Sequence, residues 1–232
     1  MGLNKFSGSS FKSYEVSGQN EGIVDLLSGL NGFFALESSG NVLKYEYEKD
    51  QLINLKKISN VPALSFDFID EETLIIGLQQ GLRLFNIKTQ KLSKIINAKS
   101  LFNRKVIVHD GKVYVASTNG IDVFSLNKSE PILVYEKTLL NDIEVLDIAF
   151  DHNKCLWAGT NQSGLYVFKG DRFKKIRLTK KKDDFKTIRS ITFDNNNSAI
   201  IASEEDGLII ISEHMPVAIL ARRECFLNKQ RC

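Results

Sequence analysis

A glycine that opens a short apolar run returns six times along this chain at nearly constant spacing. The positions are Gly2, Gly40, Gly81, Gly120, Gly164 and Gly207, separated by 38, 41, 39, 44 and 43 residues. Residues 2–12 and 164–174 both fit G-L-x-x-F-x-G-x-x-F-K, although they lie 162 positions apart. A period near 40 residues marks a chain of stacked supersecondary units.

Each unit reads as four short strands. The clearest copy runs Val145–Phe150, turns at Asp151–Lys154, continues through Cys155–Gly159, turns at Thr160–Ser163, and goes on as Leu165–Phe168 and Phe173–Leu178. The runs are rich in β-branched and aromatic residues and are bounded by Asn, Asp and Gly. No window of a dozen residues carries helical periodicity. Residues such as Trp157, Val167 and Phe168 leave neither face of the sheet polar, and a lone sheet cannot bury both. Stacking blade on blade does, and it leaves only short edges exposed. The fold expected is all-β: a β-propeller-like array of four-stranded antiparallel blades. A half-blade covers 2–17, and five blades cover 22–58, 62–97, 105–138, 143–178 and 188–221 of a single domain, 1–221.

Both ends depart from the pattern. The first unit begins at its third strand. Met215–Leu220, then Arg222–Cys225, continues no repeat, and 222–232 reads as an irregular tail. The expectation is an incomplete propeller, a fragment of a longer protein, with a self-contained six-bladed ring carrying one thin blade as the rival.

Charge is nearly balanced, 31 basic against 28 acidic residues, which gives no footprint for nucleic acid. The run Lys174–Lys182 reads as an outer strand plus a loop, where lysine blocks unwanted edge pairing. Residues 1–6 lack a signal-peptide pattern, and no run is long enough to span a bilayer. Cys155, Cys225 and Cys232 form no even framework, and His109, His152 and His214 are scattered, so neither a metal nor a cofactor is expected. Nucleophile-elbow, zinc-protease and Walker motifs are absent, so no catalytic residue is assigned.

The stretch Asp151-His-Asn-Lys-Cys-Leu-Trp-Ala-Gly-Thr160, followed by Gly164-Leu-Tyr-Val-Phe168, resembles the two-component-regulator propeller repeat: an Asp turn, then L-W-x-G-T, then G-L. Only the fourth unit carries the full motif; Leu74–Leu78 matches its second strand, and Val113–Ser117 and Ile200–Ser203 match loosely. The resemblance implies a sensor region of hybrid histidine kinases of the Bacteroidetes type. It also implies a periplasmic location, a small-molecule or oligosaccharide ligand, and kinase activity carried elsewhere. The remainder of such a propeller and kinase chain is the partner it implies.

Two sets of residues are candidates for ligand contact. The turns between second and third strands hold Ser38-Ser39, Gln79-Gln80, Thr118-Asn119, Thr160–Ser163 and Glu204–Asp206, and Asn161 and Gln162 offer the paired donors and acceptors that sugar hydroxyls need. The first strands carry Asp25, Ser65, Asp147 and Ser190 at one recurring position. Such a row either faces a central channel or bonds to the neighbouring blade's backbone, as buried polar groups must. A scaffold for protein partners and a propeller hydrolase or lyase are the alternative readings.

Overall fold

A computed structural model of the chain describes residues 3–14, 22–29, 32–127, 132–169, 171–176, 187–212 and 215–221. These form 22 strands and no helix. A hairpin, β1 (Leu3–Phe6) and β2 (Phe11–Tyr14), stands alone as a two-stranded sheet. The first blade is β3 (Ile23–Gly29), β4 (Gly32–Glu37), β5 (Asn41–Glu46) and β6 (Gln51–Lys57). The second is β7 (Ala63–Phe68), β8 (Thr73–Leu78), β9 (Gln80–Asn86) and β10 (Ile96–Leu101). The third is β11 (Lys105–His109), β12 (Lys112–Ser117), β13 (Gly120–Asn127) and β14 (Ile132–Leu139). The fourth is β15 (Val145–Phe150), β16 (Leu156–Thr160), β17 (Leu165–Lys169) and β18 (Arg172–Ile176). The fifth is β19 (Ile188–Phe193), β20 (Ala199–Ser203), β21 (Gly207–Ser212) and β22 (Met215–Ala221). Each of the five is a four-stranded sheet in which chain order equals spatial order.

The fifth blade corrects one expectation. Met215–Leu220 does continue the repeat: β22 pairs antiparallel with β21 and supplies the fourth strand. The strand holds Pro216, and as an edge strand it tolerates a residue that cannot donate to the ladder. The tail from 222 onward, with Cys225 and Cys232, lies outside the described residues, as do Gly2 and most of the basic run after Ile176.

Local chemistry explains the repeat signature. The glycines that open the third strands sit at positive φ: +87° at Gly40, +80° at Gly81, +117° at Gly120, +86° at Gly164 and +79° at Gly207. That conformation is strained for any residue with a Cβ. The Asp turns are held by side-chain acceptors. Asp70 accepts the N–H of Glu72 and Thr73 at 2.9 and 2.8 Å, and Asp194 accepts those of Asn196 and Ser198 at 2.9 and 2.7 Å. Asp151 accepts the Cys155 N–H at 2.8 Å and the Trp157 indole N–H at 3.0 Å, which fixes the ring.

The chain divides into two compact units, Met1–Val115 with Asp122–Lys137, and Ala116–Ile121 with Thr138–Cys232. In the first unit, Phe34, Leu36 and Val42 of the first blade bury against Phe66, Ile76 and Phe85 of the second. The other face of the second blade, Ile75, Leu82 and Leu84, buries against Val106, Val113, Val115 and Phe124 of the third. In the second unit, Leu165 of the fourth blade packs with Ile188, Ile191, Ile201 and Ile209 of the fifth, and Trp157 meets Phe193 edge to face. Burial on both faces is why these strands show no polar side. Close approach explains a second glycine position: a Cβ on Gly77 would lie 2.7 Å from the Asn103 carbonyl oxygen, and one on Gly159 would lie 2.6 Å from Ile188 Cγ2.

Candidate functional site

The first strand of a blade carries the recurring polar position, and a bulge aims it. Pairing with the second strand shifts register between Ile23 and Asp25, Ala63 and Ser65, Val145 and Asp147, and Ile188 and Ser190. One extra residue there turns the following side chain toward the next blade. Asp25 accepts the N–H of Leu26 at 3.0 Å and that of Phe66, in the next blade, at 3.2 Å. Ser65 Oγ accepts the Val106 N–H at 3.0 Å. Asp147 accepts Ile148 N–H at 3.0 Å and Ile191 N–H, in the next blade, at 2.7 Å. The rule is the same each time: the acceptor in one blade takes the N–H that follows the corresponding position in the next. Ser190 holds that position in the fifth blade and is exposed.

The third blade places Lys105 at this position, which the sequence pattern did not flag. Its ammonium lies 3.1 and 3.3 Å from the two oxygens of Asp25. Asp67, two residues beyond Ser65, was also missed. It accepts Phe68 N–H at 2.8 Å and Val108 N–H at 2.7 Å, while burial pushes its carboxyl pKa up against those bonds. A third missed group is Asp50 of the first blade, at φ +49°. Lys12 at 2.6 Å, Tyr45, Tyr14 at 2.7 Å and Lys5 at 2.9 Å all donate to its carboxylate and hold its pKa well below the usual range. This cluster seats the β1–β2 hairpin on the first blade. Asp50, Tyr14 and Tyr45 hold no common position in the repeat, so periodicity could not reveal it.

Of the turn candidates, Asn161 and Gln162 lie together in the second unit, whereas Ser38-Ser39 and Gln79-Gln80 belong to the first. Asn161 donates from its backbone to the Glu144 carbonyl at 2.9 Å and from its amide to the Glu144 carboxylate at 2.7 Å. Gln162 sits at φ +59°, its backbone N–H toward Thr187 Oγ1 at 3.4 Å and its side chain exposed. Asp147 is near them, two residues past Val145, which pairs with Thr160 at the base of the turn. Asp25 and Ser65 belong to the first unit. At the opposite end of the fourth and fifth blades, Asp151, Asn153, Trp157, Lys169 and Asn197 line a cleft of about 210 Å³. Among the described residues, no group of three or more His, Cys, Asp or Glu side chains could hold a metal.

Comparison with solved structures places this architecture. The extracellular domain of the proposed hybrid two-component system BT3049 of B. thetaiotaomicron superposes with a TM-score of 0.69 over 95% of this chain at 18% identity. That of the proposed hybrid system BT4673 from the same organism gives 0.72 over 97% at 18% identity. The fold is that of a β-propeller. The C-terminal WD40 domain of Sif2 shares it too, at TM-score 0.62, 14% identity, and coverage of 91% of this chain and 63% of that one. The chain spans about a third of each B. thetaiotaomicron domain, 32% and 31%. No family model and no curated protein matches the sequence.

Proposed function

We propose that this propeller chain is the ligand-binding part of a sensor in a two-component signalling protein, placed outside the cytoplasm and not itself catalytic. Likeness over nearly the whole chain to extracellular domains of such systems carries the reading. Any kinase activity would belong to polypeptide outside this chain, together with the remainder of the propeller. The ligand is a small molecule with many hydroxyls, an oligosaccharide by preference, met by the turn that holds Asn161 and Gln162. The exposed Gln162 amide offers a donor and an acceptor on one rigid turn, the pairing a sugar hydroxyl requires. Asp25, Ser65 and Asp147 serve as scaffold, because their acceptors are already engaged by backbone N–H groups.

Calorimetric titration with a panel of neutral oligosaccharides tests this. Saturable binding of at least one member is expected, weakened about tenfold by Gln162→Ala, the effect of one or two lost hydrogen bonds, with the melting temperature unchanged. A panel without a binder, or binding indifferent to both Asn161→Ala and Gln162→Ala, would overturn the reading.

A further inference from the structure

The cleft of about 210 Å³ between the fourth and fifth blades lies at the end opposite Asn161 and Gln162. One wall is the fourth blade, with Asp151 in the turn after β15, Trp157 on β16 and Lys169 at the end of β17. The other wall is the fifth blade, with Asn197 in the turn before β20, Ala199 on β20 and Ile211 on β21.

Hydrogen bonds fix the polar groups of both walls. Asp151 accepts the Cys155 N–H at 2.8 Å and the Trp157 indole N–H at 3.0 Å. The indole also meets Phe193 of the fifth blade edge to face, with ring centroids 5.5 Å apart. Across the two turns, the His152 N–H donates to Asn197 Oδ1 at 2.8 Å. That bond uses the oxygen of the Asn197 amide, and its nitrogen has no acceptor among the described residues.

Two opposite charges share this cleft without pairing. Asp151 and Lys169 both line it, yet no salt bridge joins them, and among the described residues Lys169 has no acidic partner. Each Asp151 oxygen takes one N–H, and a carboxylate oxygen has a second lone pair to offer. Lys169 is exposed and brings the N–H donors of an ammonium. Trp157, Ala199 and Ile211 supply apolar surface. An anion, a cation beside an amide donor, and an apolar wall suit a molecule that is itself cationic, anionic and apolar at separate points. A free amino acid with an aliphatic side chain is such a molecule. The volume agrees: it holds about seven water-sized groups at roughly 30 Å³ each, a single small metabolite and not an oligosaccharide.

We infer that this cleft binds a free aliphatic amino acid as its zwitterion. The ammonium meets Asp151, the carboxylate meets Lys169 and Asn197, and the side chain packs on Trp157, Ala199 and Ile211. The site is separate from the turn of Asn161 and Gln162, and failure of either proposal leaves the other standing.

Trp157 is the chain's one tryptophan and lines the cleft, so its emission reports occupancy directly. Titration of the full chain with L-leucine from about 10 µM to 20 mM, the span of weak metabolite affinities, should change that emission saturably. Isoamylamine, which is leucine without its carboxylate, and isocaproate, which is leucine without its ammonium, should each bind about tenfold more weakly or worse. Lys169→Met should weaken leucine about ten- to a hundredfold, the effect of one lost charged hydrogen bond, with circular dichroism unchanged. Lys169→Arg, which keeps the charge, should lose less, and Gln162→Ala at the opposite end should lose nothing. Emission that does not respond to leucine, an amine or carboxylate that binds as well as leucine, or leucine affinity indifferent to Lys169→Met would each overturn the proposal.

Discussion

At the residue scale, Asp147 shows what the recurring position does. It is nearly buried, and its two oxygens take N–H groups from its own strand and from the next blade. Removing the carboxylate leaves both donors buried without an acceptor, at about 1–3 kcal/mol each. Asp147→Ala should therefore lower the unfolding free energy by about 2–4 kcal/mol, and Asp147→Asn, which restores one acceptor, by less. Urea titration reads this as a shifted midpoint at constant slope; an unshifted midpoint for Asp147→Ala would remove the latch from the account. Gly77→Ala should cost about 1–3 kcal/mol by overpacking against the Asn103 backbone, visible in the same titration. Asp25, Ser65 and Asp147 were legible as a row because polar side chains interrupt apolar strands at the repeat period. Lys105 was not, because a cation cannot accept the neighbour's N–H and so breaks the chemical pattern that defines the row. Its partner Asp25 is 80 residues away and is met only in three dimensions.

At the element scale, the N-terminal hairpin depends on one carboxylate. The Asp50 pKa is depressed in the folded state, chiefly by Lys12 and then by Tyr45, Tyr14 and Lys5. Its contribution is therefore fully present above the unfolded value near pH 3.9 and fades only as pH falls through the lower folded value. Hydrogen-exchange protection of β1 and β2, corrected for intrinsic rates, should stay flat from pH 7 to about 4. Asp50→Ala should abolish protection in the hairpin while the first blade keeps its own. Loss of wild-type hairpin protection between pH 6 and 5 would mean some other group holds it. The strands themselves were readable from periodicity and turn chemistry; β22 was the least legible, because Met215–Leu220 resembles no other copy of the repeat. The hairpin's seat was not readable, because Asp50, Tyr14 and Tyr45 share no repeat position.

At the scale of the whole molecule, stability comes from neighbouring blades burying one another's faces, as in other quasi-one-dimensional repeat arrays. That logic was visible in the sequence as strands without a polar side. The candidate ligand-binding turn was less so, because polar turns are universal in such folds and only the folded structure tells an engaged Asn161 from an exposed Gln162. Trp157, the chain's one tryptophan, lies at a blade–blade interface against Phe193 and reports on this burial directly. The decisive measurement compares the full chain with one truncated after residue 186, following tryptophan emission and thermal unfolding together. Mutual burial predicts a red-shifted Trp157 emission and an earlier melting transition in the truncated chain. Unchanged emission and an unchanged transition would show that each blade holds itself together, contradicting the account.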